Sequence, residues 1–515
     1  MTNWSMCVAQ WKRWLRNMRV DRNIATLVFA AVFSLFSSDA RAQNYPQDFG
    51  YSRRTEALLD AGFLWPTNSL FHPLATDDSL AADFGSYRWL SNYLNDYRRN
   101  QTANDQTNAS LLLIPGVTGD VEWGGVDSYD RLAAQPFIWS AARWRQRWYA
   151  RFYARFTNEP RSLPHYSGVP RRIARAGLKT GEIDQAAVGY QNDWATVEYG
   201  RGREIWGTQT EDNPVLSGNA PPYERLLLEF RHRRFAYRMF YGFLEMDDDP
   251  SDGEVQRYLV GRCLEYRNQR NLVAGVAETS ILTGPHRPVD WAFLNPLALH
   301  VEVELNDRSN VGGNMDNGAW SLYLDWMTTP DLRLSGAFVL DEAKLERQER
   351  AAGKSDALGW FGRAAWTVKR QPVGVTLFTS YTRIGTYTFQ HNPGYNNFVT
   401  RGELLGASIG NDADRLTAGG RVVFRFPVAI ELEAGRWRWG DNNLISDPYH
   451  PYNEYVSKPF PSGTVRRNDY LAVQIDSQPN ARVAVYGEGH WDLDTGGPGS
   501  GKQFWKVGVR GMVQK

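Results

Sequence analysis

The 515-residue chain reads as an exported, all-β, transmembrane antiparallel β-barrel of about 18 strands, preceded by a small N-terminal periplasmic helical segment. Three observations predict this. The first forty residues form an export signal, the next stretch has helical periodicity, and from about Arg143 apolar and polar residues alternate in segment after segment. Composition sets the frame: 42% hydrophobic and 13% aromatic residues are too many for a disordered chain. Lys plus Arg number 58 against 57 Asp plus Glu, so there is no overall basic field for a nucleic-acid partner. The two cysteines, Cys7 and Cys263, cannot make a disulfide framework once Cys7 leaves with the targeting segment.

That segment has three parts. Lys12, Arg13, Arg16, Arg19 and Arg22 make a basic n-region, Ile24 to Phe36 an apolar h-region, and Ala40-Arg41-Ala42 a small-residue cleavage site. Thirteen mostly apolar residues are too few to span about 30 Å of hydrocarbon as a helix. Export with cleavage after Ala42 is therefore expected, with Met1 or Met18 as the start.

Residues 43–105 read as the periplasmic helical segment. Arg53 to Gly62 makes one short helix closed by glycine, which readily takes the left-handed conformation at a helix end. Asp83 to Arg99 makes a second, with Trp89, Leu90, Tyr93, Leu94 and Tyr97 on one stripe.

Residues 106–515 read as the barrel. From Arg143 to Phe156 one face carries Trp144, Trp148, Phe152 and Phe156, and the other carries Arg143, Arg145, Arg147, Arg151 and Arg155. A single fourteen-residue strand is predicted there. Similar alternation predicts strands at Leu226–Phe230, Phe235–Phe243, Val301–Leu305, Trp320–Trp326, Leu332–Leu340, Trp360–Val368, Val373–Tyr381, Val422–Phe426, Leu471–Ile475, Val483–Trp491 and Trp505–Val513. Turn signals at Asp248–Gly253, Asn314–Gly318 and Gly496–Gly499 separate some of them. Sixteen to eighteen such segments, apolar on one face and charged on the other, suit a barrel with lipid outside and water or ion pairs inside. Trp144/Trp148, Trp320/Trp326 and Trp360/Trp366 suit aromatic girdles at the membrane interfaces. Arginines 143 to 155 set against Glu302, Glu304, Glu431 and Glu433 would give a lumen of mixed sign. Mixed sign favours an ion-paired or plugged interior, because selective pores tend to be dominated by one sign.

Strings that look catalytic lack their context. Gly406-Ala407-Ser408-Ile409-Gly410 has the nucleophile-elbow spacing without a strand–turn–helix around it. Gly496 to Lys502 is followed by Gln503 where a phosphate loop needs Ser or Thr. Asp247, Asp248, Asp249, Asp252 and Glu254 lack calcium-loop spacing, and the eight histidines are scattered. No catalytic residue, metal site or cofactor is expected.

More informative is an ordered set of short motifs. Gly200-Arg201-Gly202-Arg203-Glu204-Ile205-Trp206-Gly207 is followed by Leu216-Ser217-Gly218-Asn219-Ala220-Pro221-Pro222. Then come Leu264-Glu265-Tyr266-Arg267, Val276-Ala277-Glu278-Thr279 and Phe293-Leu294-Asn295-Pro296-Leu297. In this order they resemble the capsule-assembly Wzi-type family of outer-membrane proteins. The matching positions include Gly200, Arg201, Trp206, Gly207, Ser217, Asn219, Pro221, Asn295 and Pro296; Gly207-Thr208-Gln209-Thr210 stands where the family commonly has Gly-Pro-Gly after the Trp-Gly.

The resemblance implies an eighteen-stranded barrel in the outer membrane of a Gram-negative bacterium. It also implies a lectin-like, non-enzymatic role that binds or organises capsular or exopolysaccharide. Outer-membrane lipid, lipopolysaccharide and the barrel insertion machinery would be its other partners. Sugar binding needs aromatic platforms beside planar hydrogen-bonding groups. The segment 437–468 offers Trp437, Trp439, Tyr449, Tyr452 and Tyr455 with Asp441, Asn442 and Asn443. Girdle positions are the competing reading for Trp437 and Trp439. A porin for small sugars or anions is the alternative function, and an outer-membrane hydrolase a second alternative.

Overall fold

The computed structural model describes residues 59–60, 64–66, 74–76 and, with gaps in several loops and turns, 109–512. The export signal, most of the helix expected at Arg53–Gly62, all of that at Asp83–Arg99, and the Gly496–Lys502 string lie outside the described residues.

Among the described residues, eighteen long strands form one sheet. They begin with β1 (Ala109–Trp123), β2 (Arg131–Trp144), β3 (Trp148–Thr157), β4 (Thr180–Gln191), β5 (Ala195–Gly202) and β6 (Tyr223–His232). Next are β7 (Phe235–Phe243), β8 (Gly253–Arg267), β9 (Leu272–Pro285), β10 (Asp316–Thr329), β11 (Leu332–Glu342) and β12 (Ala357–Arg370). The last six are β13 (Val373–Ile384), β14 (Ala413–Phe424), β15 (Val428–Trp439), β16 (Arg466–Asn480), β17 (Val483–Asp492) and β18 (Gln503–Met512). Each pairs antiparallel with the next, and β18 closes onto β1 through pairs such as Val509 with Gly119. Closure leaves no open edge, the condition for burying strands in lipid.

Connections sort by length. Two- to four-residue turns follow the even-numbered strands, such as 233–234 and 330–331. Connections of seven to thirty residues gather at the other end, including 203–222, 286–315, 385–412 and 440–465. In outer-membrane barrels the short turns are periplasmic and the long loops extracellular.

The alternation has the expected sense. Exposed Leu113, Ile138, Phe152, Val188, Phe230, Leu264, Leu322, Leu377, Leu416, Leu432 and Ile475 point outward. Trp326 and Trp366 stand outward near the turn end, with Trp320 and Trp360 toward the loop end of the same strands. Trp144 and Trp148 instead flank one turn, so together they mark the turn-end girdle.

Two strand expectations are corrected. Arg143–Phe156 is not one strand: Arg145, at φ 49°, and Arg147 lie in the turn between β2 and β3. A turn of polar residues can keep the alternation of the strands beside it, so periodicity alone does not reveal the break. Val301–Leu305 belongs to a helix, since α1 (Trp291–Leu294) and α2 (His300–Leu305) form inside the loop after β9. Alternating Val and Glu over five residues also places Val303 inward on a single helical turn. Of the Asn314–Gly318 turn signal, Asp316 to Gly318 already belong to β10. Strands β1 and β2 went largely unread, because Pro115, Gly116, Gly119 and Pro136 and the run Leu111–Ile114 blur the period of two.

The N-terminal segment contributes more than helix. Leu64–Pro66 pairs with Leu74–Thr76 as a small hairpin. Leu59 and Asp60, in helical conformation, are buried inside the barrel toward the turn end.

Candidate functional site

The inner wall is a set of compensated charges. Arg155 pairs with Asp184, and Arg151 with Glu198. Glu198 also takes Arg225 at 3.0 Å, and Arg225 continues to Glu204 at 2.9 Å. Glu229 holds both Arg231 and Arg238, Asp325 holds Arg333 at 2.7 Å, and Glu431 holds Arg421 at 2.6 Å. The ion-paired lumen is present, but with partners other than those expected. Glu302 and Glu304 sit on α2 outside the barrel, Glu433 accepts from the Tyr470 hydroxyl, and Arg143 to Arg155 meet none of the four glutamates named above in these pairs. Which acids face which arginines depends on strand order and register around the ring, which spacing along the chain does not encode.

At the turn end, Asp60 is the centre of a buried cluster. Its carboxylate accepts from Arg333 at 3.0 Å and from both terminal nitrogens of Arg363 at 2.9 Å, with Arg421 at 3.5 Å. Burial alone would raise this carboxyl, but the guanidiniums of Arg363, Arg333 and Arg421 hold it well below the usual range. The Thr367 hydroxyl donates to the Asp60 carbonyl. The N-terminal segment is thereby fastened to β11, β12 and β14 from inside.

At the loop end, two long loops fold inward and meet. Loop 203–222 joins β5 to β6 and loop 385–412 joins β13 to β14, eight strands apart in a ring of eighteen. Their contact therefore crosses the barrel nearly at its diameter. Ser217 N–H donates to Leu405 O at 2.9 Å, Ser217 Oγ to Gly406 O at 2.6 Å, and Ala407 N–H to Pro214 O at 3.3 Å. A side-chain carbon on Gly406 would sit 1.9 Å from the Pro214 carbonyl oxygen, so only glycine permits this approach. Trp206, Leu216, Phe389, Phe398, Leu405 and Ile409 bury one another there, against Phe240, Leu259 and Phe361 of the inner wall. Arg257 of β8 reaches in and donates to the carbonyls of Tyr395, Asn397 and Val399.

Most of the motif positions build this crossing. Trp206 is buried, donates to Glu204 at 2.9 Å and meets Phe240 edge-on. Gly207 takes φ +127°, where a side chain would strike Asn213. Ser217 makes the bridge, its Oγ also accepts the Asn219 N–H, and Pro221 is buried. Gly200 faces the β4 backbone too closely for a side chain, and Arg201 pairs with Glu224 on the outer wall. Asn295 and Pro296 lie elsewhere, on the loop carrying α1 and α2. That loop folds back over the outside of the barrel, with Phe293 and Val303 packed on Tyr241, Tyr258, Val260 and Leu282. Beneath it an outward-facing pair, Arg262 and Glu278, is buried. Arg262 donates to the carbonyls of Phe293 and Asn295, Glu278 accepts the His300 N–H, and Tyr237 donates to the Pro296 carbonyl.

The nominated sugar patch is brought together only in part. Trp437 and Trp439 face inward near the loop end of β15, ring centroids 4.7 Å apart, against the loop core. They are not girdle residues. The buried indole N–H of Trp437 meets no acceptor among the described residues. Asp441 is exposed at the mouth, pairing with Arg466 at 3.3 Å and accepting the Thr464 N–H. Asn442 is buried, accepting from Asn411 at 2.9 Å and donating its N–H to Asp412. Tyr455 is buried in a stack on Tyr387 at 4.6 Å, so its ring is spent on loop packing. Tyr452 lies in a 3-10 turn (Tyr452–Glu454), and Tyr449 lies outside the described residues. The residues missed were Asn411 and Asp412. Asp412, with φ 51°, accepts from Ser462, Thr386 and Asn442 and ties the loops after β13 and β15 together. Such a hub carries no sequence signal beyond an Asn-Asp pair, which reads as an ordinary turn.

Ser408 of the Gly406–Gly410 string is exposed on the infolded loop, and Asp247–Asp249 pairs as a short strand with the start of β8.

No protein-family model and no curated protein matches the chain. Among solved structures, Wzi of Escherichia coli, an outer-membrane protein involved in group 1 capsule assembly and described as a carbohydrate-binding β-barrel, superposes with a TM-score of 0.57. The match covers 92% of this chain and 99% of Wzi at 10% identity. OprD of Pseudomonas aeruginosa gives a TM-score of 0.46 at 10% identity over 79% of this chain and 95% of its own. OccAB1 of Acinetobacter baumannii gives 0.44 at 9% identity over 79% and 96%. At 10% identity the likeness to Wzi establishes the fold, a closed eighteen-stranded barrel of outer-membrane type.

Proposed function

We propose that this chain is a non-enzymatic outer-membrane barrel of the Wzi type that holds capsular or exopolysaccharide at the cell surface and conducts little or nothing. The observation carrying the reading is the loop crossing. Ser217 and Gly406 join opposite sides of the lumen over a hydrophobic core, and the wall beneath carries many buried ion pairs. A solute pore needs an open water column, which this arrangement opposes. The saccharide role rests on the inward Trp437–Trp439 pair at the mouth, where the Trp437 indole N–H has no acceptor among the described residues, and on the carbohydrate binding ascribed to Wzi itself.

Two measurements test the proposal. Purified protein in planar bilayers should give no large ohmic steps, whereas regular steps would support the porin alternative. Retention on immobilised capsular polysaccharide should fall about tenfold in Trp437→Ala/Trp439→Ala, about 1.4 kcal/mol. Unchanged retention removes the aromatic pair from the binding site.

A further inference from the structure

The outer wall carries a charged sector at the loop end that neither the lumen nor the mouth uses. Register places Trp360, Arg383, Asp414, Arg438 and Arg467 side by side in one outward row across β12 to β16. In the next outward row toward the turns, Arg436 faces Asp469. Beyond these the outward rows turn apolar, with Ala418, Ala434 and Leu471, then Leu377 and Leu432. Rows lie about 7 Å apart along a strand. The two charged rows therefore stand directly above the lipid-facing band, at the level of the outer-leaflet headgroups.

The sector holds four guanidiniums and two carboxylates. Asp414 accepts from Arg438 at 2.9 and 2.5 Å and from the Tyr381 hydroxyl. Asp469 is shared between Arg436, at 2.8 and 3.3 Å, and Arg467. Arg383 lies between rings, 4.9 Å from the Trp360 centroid and 3.6 Å from that of Phe460. Arg438 and Arg467 stand directly opposite each other, a pairing that is unfavourable across strands unless an anion is shared. The side chains of Arg436, Arg438 and Arg467 remain 51%, 41% and 46% exposed. On β5 and β6 the corresponding rim position is balanced one to one by Arg201 and Glu224.

We propose that this sector binds the phosphorylated sugar headgroup of the outer-leaflet glycolipid, with its acyl chains laid on Leu377, Leu432 and Leu471. Arginine forks match phosphate oxygens in two-pronged hydrogen bonds, and two surplus positive charges match a dianionic group.

The test uses the full-length barrel in dodecyl maltoside with purified bisphosphorylated lipid A, read by native mass spectrometry. Wild type should bind one lipid A in preference to the phosphatase-treated form by at least tenfold. Arg436→Gln/Arg438→Gln/Arg467→Gln should lose at least tenfold, while Arg308→Gln, in the loop just after α2, should not change binding. Equal binding of phosphatase-treated lipid A overturns the proposal even if the triple variant fails to fold. Equal binding of phosphatidylglycerol overturns the glycolipid, and displacement by millimolar inorganic phosphate reassigns the sector to free anions. Retention on polysaccharide reads the mouth, so either result stands without the other.

Discussion

Asp60 shows how much one residue carries when it is the shared partner of three buried cations. In Asp60→Asn, Arg333 and Arg421 keep Asp325 and Glu431, but the negative charge common to all three arginines is gone. Removing one partner of a buried ionic cluster costs about 3–5 kcal/mol. The expected outcome is release of the N-terminal segment, measured as new protease cleavage near residue 60 with the barrel still folded by gel mobility. The pH dependence follows from the direction of the shift. A carboxyl lowered on docking stabilises the docked form fully above the ordinary carboxylate range and loses that contribution only as pH falls below it. Docking should therefore be flat from pH 5 to 8 and weaken only in stronger acid. On the opposite wall, Glu198→Gln removes the charge shared by Arg151 and Arg225 and should cost a similar amount, seen as a lower temperature for loss of the heat-modifiable folded band.

Among the elements, the loop crossing is the most exposed to a single change. Gly406→Val places a branched side chain against the Pro214 carbonyl, which as backbone cannot swing aside. The loops should part and bilayer recordings should show current bursts that wild type lacks; continued silence would mean that another contact closes the lumen. Strands were legible where one face meets lipid and the other meets ions, as at Phe235–Phe243 and Trp360–Val368, because the two environments impose the period of two. Loops were not. Trp206, Ser217 and Pro221 could be singled out as a motif, yet their meeting with Gly406 depends on ring closure, a relation between segments 189 residues apart. The aromatic patch is brought together only in part for the same reason. Trp437 and Trp439 share a strand face and stay together, whereas Tyr455 is recruited by Tyr387 from another loop.

For the molecule as a whole, apolar surface outside, paired charge inside and a loop bridge across one end belong to one design. An exception is the Arg262–Glu278 pair, which points out of the barrel from the turn-side half of β8 and from β9. The loop that covers it shows Trp291, Leu297 and Leu305 to the surroundings, each more than 70% exposed, so it replaces polar wall by apolar surface. An arginine facing lipid near the bilayer centre costs about 2–4 kcal/mol. The barrel is thus insulated on that flank by its own chain, and a barrel without the loop would present the bare ion pair to hydrocarbon. Replacing 286–315 with a short Gly-Ser linker should consequently starve the outer membrane of mature protein, scored by fractionation, while leaving any molecules that do arrive able to retain glycan.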